Sequence, residues 1–147
     1  MELLVQLFFI CTFMSLEAKT ETVEELTQKY ANTMVACAHQ YKPTSEDVTK
    51  MQNKQVPEGE SAKCMLACVY RATGMMDANG MLDVEHVKKI TEEHFSGEPE
   101  KLTRANQFND ACKVVNEQAV SDGNKGCERA ALIFKCSVEQ APLHDFI

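Results

Sequence analysis

Six cysteines, Cys37, Cys64, Cys68, Cys112, Cys127 and Cys136, limit what this chain can fold into more than any other feature. In a small exported chain an even set of cysteines is consumed as disulfides, and each bridge rules out every fold that keeps its two ends apart. A seventh, Cys11, lies in different company, the apolar run from Leu3 to Met14. That run has the length of a secretory h-region and is too short to cross a bilayer. Small residues at Ser15 and Ala18 place the expected cut after Ala18. Residues 1–18 are therefore expected to be a signal peptide and residues 19–147 a single secreted, extracellular domain. The two readings support each other, because the leader takes the odd cysteine with it.

The 129 residues after Ala18 are enough to enclose a sizeable core. Removing Glu2 and Glu17 leaves 20 acidic residues against 15 basic ones. An acidic surface does not seek phosphate backbones, so no nucleic-acid partner is expected. There is no Asn-x-Ser/Thr sequon for an N-glycan.

Apolar periodicity predicts six helices and no sheet. Val23, Leu26, Tyr30, Met34, Cys37 and Tyr41 recur at three- and four-residue spacing, and Pro43 ends that helix. A short helix is expected from Ser45, then a loop at Val56 to Gly59, then a helix from about Ser61 to Met75. Asp77 to Gly80 has turn composition. Asp83 is the expected cap of a helix with Val84, Val87, Ile90 and Phe95 inside, ended by Gly97. A long helix is expected from Pro99 through Ala119, and a last one from Cys127 to Gln140, closed by Pro142. No two-residue alternation is sustained anywhere. The expected fold class is all-α, a compact bundle of about six helices.

Cys64 and Cys68 lie one helical turn apart on the same face. A bond between them would constrain one turn, whereas bonds to two other helices would join three. Six cysteines allow 15 pairings, and spacing alone selects none of them. Successive cysteines are separated by 26, 3, 43, 14 and 8 residues. This spacing, with the run Cys64-Met65-Leu66-Ala67-Cys68-Val69-Tyr70-Arg71 and the continuation Gly74 to Gly80, resembles the insect odorant-binding and pheromone-binding proteins over the whole of residues 19–147. The resemblance implies the pairs Cys37–Cys68, Cys64–Cys127 and Cys112–Cys136. It also implies an internal apolar cavity, a hollow of a few hundred Å³ that crosslinks help the fold to tolerate, because an apolar void costs roughly 24 cal/mol per Å³.

Family pocket positions carried over by the resemblance fall on Tyr30, Leu66, Tyr70, Met75, Met76 and Leu82. Helical facing adds Met34, Val87, Ile90, Phe108, Phe134 and Val138. Six methionines lie beyond residue 18, mostly in the first half, and methionine adapts to irregular cavities. Tyr70 is the candidate for a hydrogen bond to a ligand hydroxyl or carbonyl. No Lys or Arg is expected on the inner faces, which favours a neutral guest. His94 and His144 are candidates for loosening a lid in acid. The tail Leu143 to Ile147 is a candidate cover for the cavity mouth.

Catalysis, a cofactor and a metal are not expected. Counted from Asp77 as a calcium loop, the fifth, sixth and twelfth positions are Met81, Leu82 and Lys88, which is no EF-hand. There is no phosphate loop or nucleophile elbow. The implied function is transport of a small hydrophobic ligand, such as an odorant, a pheromone or a fatty-acid-like molecule. A membrane olfactory receptor is the expected downstream partner, and a monomer or weak homodimer the expected state. The alternative is a secreted lipid-binding or helical signalling protein without an olfactory role.

Overall fold

A computed structural model describes residues 23–145. Residues 1–22 and the last two, Phe146 and Ile147, lie outside the described part, so the signal-peptide expectation does too. Six α-helices follow one another: α1 (Val23–Tyr41), α2 (Ser45–Gln52), α3 (Glu60–Ala72), α4 (Val84–His94), α5 (Pro99–Cys112) and α6 (Cys127–Gln140). Short 3-10 turns cover Lys113–Glu117, Gly123–Lys125 and Ala141–His144. Among the described residues the only β-type pairing is an isolated antiparallel bridge between Met76 and Leu82.

The helix starts follow from capping chemistry. Thr44 caps α2, its hydroxyl accepting from Asp47 N at 3.1 Å. Asp83 caps α4, its carboxylate accepting from His86 N at 2.9 Å. Pro99 opens α5 at a position whose N–H has no helical partner anyway.

Helix α3 forms the centre. Ala62, Cys64, Met65, Leu66, Ala67 and Val69 on it are all buried, as expected of a helix covered on most sides. It packs against α1 on one side and α6 on the other, and α5 lies against both α4 and α6. The three disulfides run as the resemblance implied. Cys37–Cys68 ties α1 to α3, Cys64–Cys127 ties α3 to α6, and Cys112–Cys136 ties α5 to α6. Helix α4 carries no bridge and no fully buried residue.

Three helix ends differ from the sequence expectation. Helix α3 stops at Ala72, short of Met75, because Gly74 takes φ +77° and turns the chain. Helix α4 stops at His94, ahead of Gly97. Helix α5 stops at Cys112 and gives way to a 3-10 turn, where a helix to Ala119 was expected. Tertiary hydrogen bonds reshape that segment. The Asn116 side chain pairs with both backbone groups of Leu82 at 2.9 Å, and Arg129 donates to Val115 O and to Gln118 O.

Candidate ligand-binding site

Helix α6 separates two concavities. An open groove of ≈ 430 Å³ lies along its Glu128, Leu132 and Lys135 side, with Val56, Pro57 and Val120 opposite. A smaller, more enclosed cavity of ≈ 20 Å³ lies on its Ile133 and Ser137 side. The groove is the larger but is rimmed by Glu58, Lys63, Glu128 and Lys135 and stands open to water. An apolar guest is held by enclosure and apolar lining, so the smaller cavity is the candidate site.

Its apolar walls are Met75, Leu82, Val84, Val87, Phe108 and Ile133, with Cys112 of the α5–α6 disulfide behind them. Asn109 and Ser137 are its polar lining residues. The Met76–Leu82 bridge places Leu82, and the α4 cap at Asp83 sets the direction of Val84 and Val87. Asp77 builds the intervening turn, its carboxylate accepting from Asn79 N and Met81 N at 2.9 Å each. That occupation explains the acidic residues that superficially suggest a calcium loop.

A volume of ≈ 20 Å³ holds little more than one water and differs from the expected hollow of several hundred Å³. The reason is energetic. An apolar void of about 300 Å³ would cost about 7 kcal/mol at the rate observed for engineered cavities. That is as much as the whole stability of many domains, about 5–15 kcal/mol. Side chains therefore close over the space, Met75 and Phe108 being the longest of the lining.

Of the twelve residues singled out from the sequence, Met75, Leu82, Val87 and Phe108 line this cavity. Tyr30 adjoins it, its hydroxyl 3.9 Å from Met75 Sδ. Tyr70 is beside Tyr30; burial pushes its phenol well above the ordinary value, and the Tyr30 phenol adds to that. No described residue hydrogen-bonds the Tyr70 hydroxyl. Leu66 and Met76 are part of the buried core, and Phe134 packs against it. Ile90 and Val138 are half-buried and lie outside the lining. Met34 is 48% exposed, because the inward stripe of α1 passes through Tyr30, Thr33, Cys37 and Tyr41.

Val84, Asn109, Cys112, Ile133 and Ser137 were missed as lining. On α6 a signal existed. Cys127 and Cys136 are nine residues apart, about half a turn in direction at roughly 100° per residue. Both are bonded inward, so the core faces one of their two bisectors. One bisector carries Ala130, Ile133 and Ser137, and the other carries Glu128 and Lys135. The first is the apolar side.

The inner faces are also not free of cations. Arg129 is buried, 4% exposed, on α6. Its guanidinium holds the carbonyls of Val115 and Gln118, while Nε has no hydrogen-bond partner. It is absent from the cavity lining. The C-terminal 3-10 turn packs on α5 and α6. There His144 meets the cavity residue Phe108 edge-on, with ring centroids 6.2 Å apart. His94 meets its neighbour Phe95 edge-on, with ring centroids 4.8 Å apart, and His39 and His86 are exposed.

Six helices, four of them joined by these three disulfides, around an apolar cavity define the class as a helical bundle of the insect odorant-binding type. The chain belongs to the PBP/GOBP family, whose family model matches residues 19–140. It is similar to general odorant-binding protein 28a of Drosophila melanogaster, 28% identical over 124 residues that make up 84% of this chain and 83% of that one. General odorant-binding protein 19d of the same fly is 26% identical over 122 residues, 82% of this chain and 78% of the relative. The solved structure of the Drosophila odorant-binding protein 28a superposes with a TM-score of 0.63 at 27% identity, covering 84% of this chain and 98% of that one.

Proposed function

We propose that this protein is a secreted carrier that takes up small hydrophobic molecules, odorants or pheromones among them, and transports them in extracellular fluid. The observation that carries the reading is the apolar cavity formed between α4, α5, α6 and the Met75 to Leu82 segment, inside a frame fixed by disulfides. Its walls offer dispersion contacts and no charge, which suits a neutral, largely hydrocarbon guest. Tyr30 beside Met75, with Tyr70 next to it, supplies phenol groups to orient a polar end. Export is supported by the leader-like first 18 residues, by six cysteines all in disulfides and by a family match that begins at residue 19.

The test is uptake of an apolar fluorophore such as N-phenyl-1-naphthylamine. A carrier brightens the dye on binding and releases it to long-chain alcohols or volatiles. A helical signalling protein with a solid core takes up no dye, and that result would end the carrier reading. Export is checked separately by expressing the full chain in insect cells. The expected product in the medium begins at Lys19 and weighs six hydrogens less than the reduced sequence. Retention in the cell with Met1 still attached would overturn secretion.

A further inference from the structure

The polar groups at the cavity are arranged to accept hydrogen bonds more than to donate them. Val87 O is a carbonyl and can only accept, so the Thr91 hydroxyl, 2.8 Å away, must donate to it. With its one proton spent, Thr91 Oγ1 can only accept from Asn109, which therefore turns its amide nitrogen toward Thr91 at 2.9 Å. This relay fixes which way the Asn109 amide points and leaves Oδ1 as the group not used by the protein. Ser137, across the cavity on α6, spends its only proton on Ile133 O at 2.9 Å. What remains for a guest is the lone pairs of Asn109 Oδ1 and Ser137 Oγ against a single amide hydrogen. Both residues are part of the lining, and the rest of that lining is apolar.

We infer that Asn109, oriented by Thr91, is a specificity-determining residue that selects guests carrying a hydrogen-bond donor, so that apolar alcohols are preferred over ethers and ketones of the same size. The inference rests on the carrier reading and names the ligand class of that same cavity. A hydroxyl donates to Oδ1 and satisfies it. An ether or ketone oxygen brought to the same place meets another acceptor; the single remaining amide hydrogen is the one donor open to it, and Oδ1 loses water without gaining a partner. In an apolar pocket with one such group, discrimination comes chiefly from the polar atom that the wrong guest leaves unpaired.

The experiment measures displacement of N-phenyl-1-naphthylamine by 1-decanol and by 1-methoxynonane, which have equal numbers of carbon and oxygen atoms. The readout is the ratio of their affinities, compared between wild type and Asn109→Leu, so that differences in ligand hydrophobicity cancel. The alcohol-to-ether ratio is expected to fall about fivefold in the variant, the scale of one neutral hydrogen bond, while the ether still binds. Thr91→Val keeps the shape of the wall and frees the amide to turn, and the ratio is expected to fall there as well. Dye uptake with an unchanged ratio in either folded variant would overturn the selectivity and leave the carrier reading standing. Absence of dye uptake by wild type would overturn both.

Discussion

Asp47 shows how one buried side chain can hold a loop in place. Its carboxylate accepts from Glu58 N and Gly59 N at 3.1 Å each and from the Thr44 hydroxyl at 2.9 Å. A single residue on α2 thus fixes the chain entering α3. The Gly59 N–H above all, then the Thr44 hydroxyl, hold its pKa below the usual value. A carboxylate with a lowered folded pKa stabilises fully above the unfolded value of about 4, and that contribution is lost as the pH falls through the folded value. Asp47→Ala is expected to lower stability by about 2 kcal/mol at pH 7 in urea unfolding. The difference from wild type should shrink as the pH falls below the unfolded value of about 4; a gap as wide in acid as at pH 7 would remove the carboxylate from the explanation. Gly126 is a second residue that its surroundings hold to one identity. It takes φ +72° just before Cys127, and a Cβ there would stand 2.9 Å from Met76 Sδ and 3.0 Å from Gly80 Cα. Gly126→Ala is expected to cost at least 1–2 kcal/mol for the left-handed backbone alone. An unshifted thermal midpoint would show that the loop relaxes freely. Neither role could be read from sequence. In the sequence Asp47 is simply one of two acids, with Glu46, in the first turn of α2, and its partners at Glu58 and Gly59 become neighbours only when the loop folds back.

Helix α4 is weakly held for a wall of the cavity. It supplies Val84 and Val87 to the cavity, yet carries no disulfide and buries no residue completely. Opening of a local element is governed by how much it buries, so α4 amides are expected to exchange with deuterium faster than those of α3, and to slow when a guest binds. Equal protection of the two helices in the free protein would locate the opening wall elsewhere. The disulfides differ in the loops they close. Cys64–Cys127 spans 63 residues and Cys112–Cys136 spans 24. In the chain-entropy account they stabilise by about 4 and about 3.5 kcal/mol, so paired Cys→Ala removal of the first should be the more damaging. Reversal of that order in denaturant midpoints would point to native-state effects. Element type and order were readable from apolar spacing and caps, and α2 and α6 start where Ser45 and Cys127 suggested. The end of α5 was not readable, because Asn116, Leu82 and Arg129 reshape it from distant parts of the chain.

At the scale of the whole molecule, the cavity is closed by pieces far apart in the sequence. Met75 and Leu82 come from the middle, Ile133 and Ser137 from α6, and the 3-10 turn at Ala141–His144 places His144 against Phe108. Truncation after Pro142 removes that ring contact and is expected to weaken dye and ligand binding several-fold while the helical circular dichroism stays intact. Unchanged affinity would show that the tail takes no part in retaining a guest. The sequence by itself determined the class of fold, because cysteine spacing and helical periodicity are local properties that survive in one dimension. The tertiary structure alone decided which side chains meet in the cavity, how far it closes and which atoms remain free to bond a guest. Those depend on the rotation of each helix about its axis, where an error of one residue turns a wall by about 100° and replaces Ile133 and Ser137 with Phe134 and Val138.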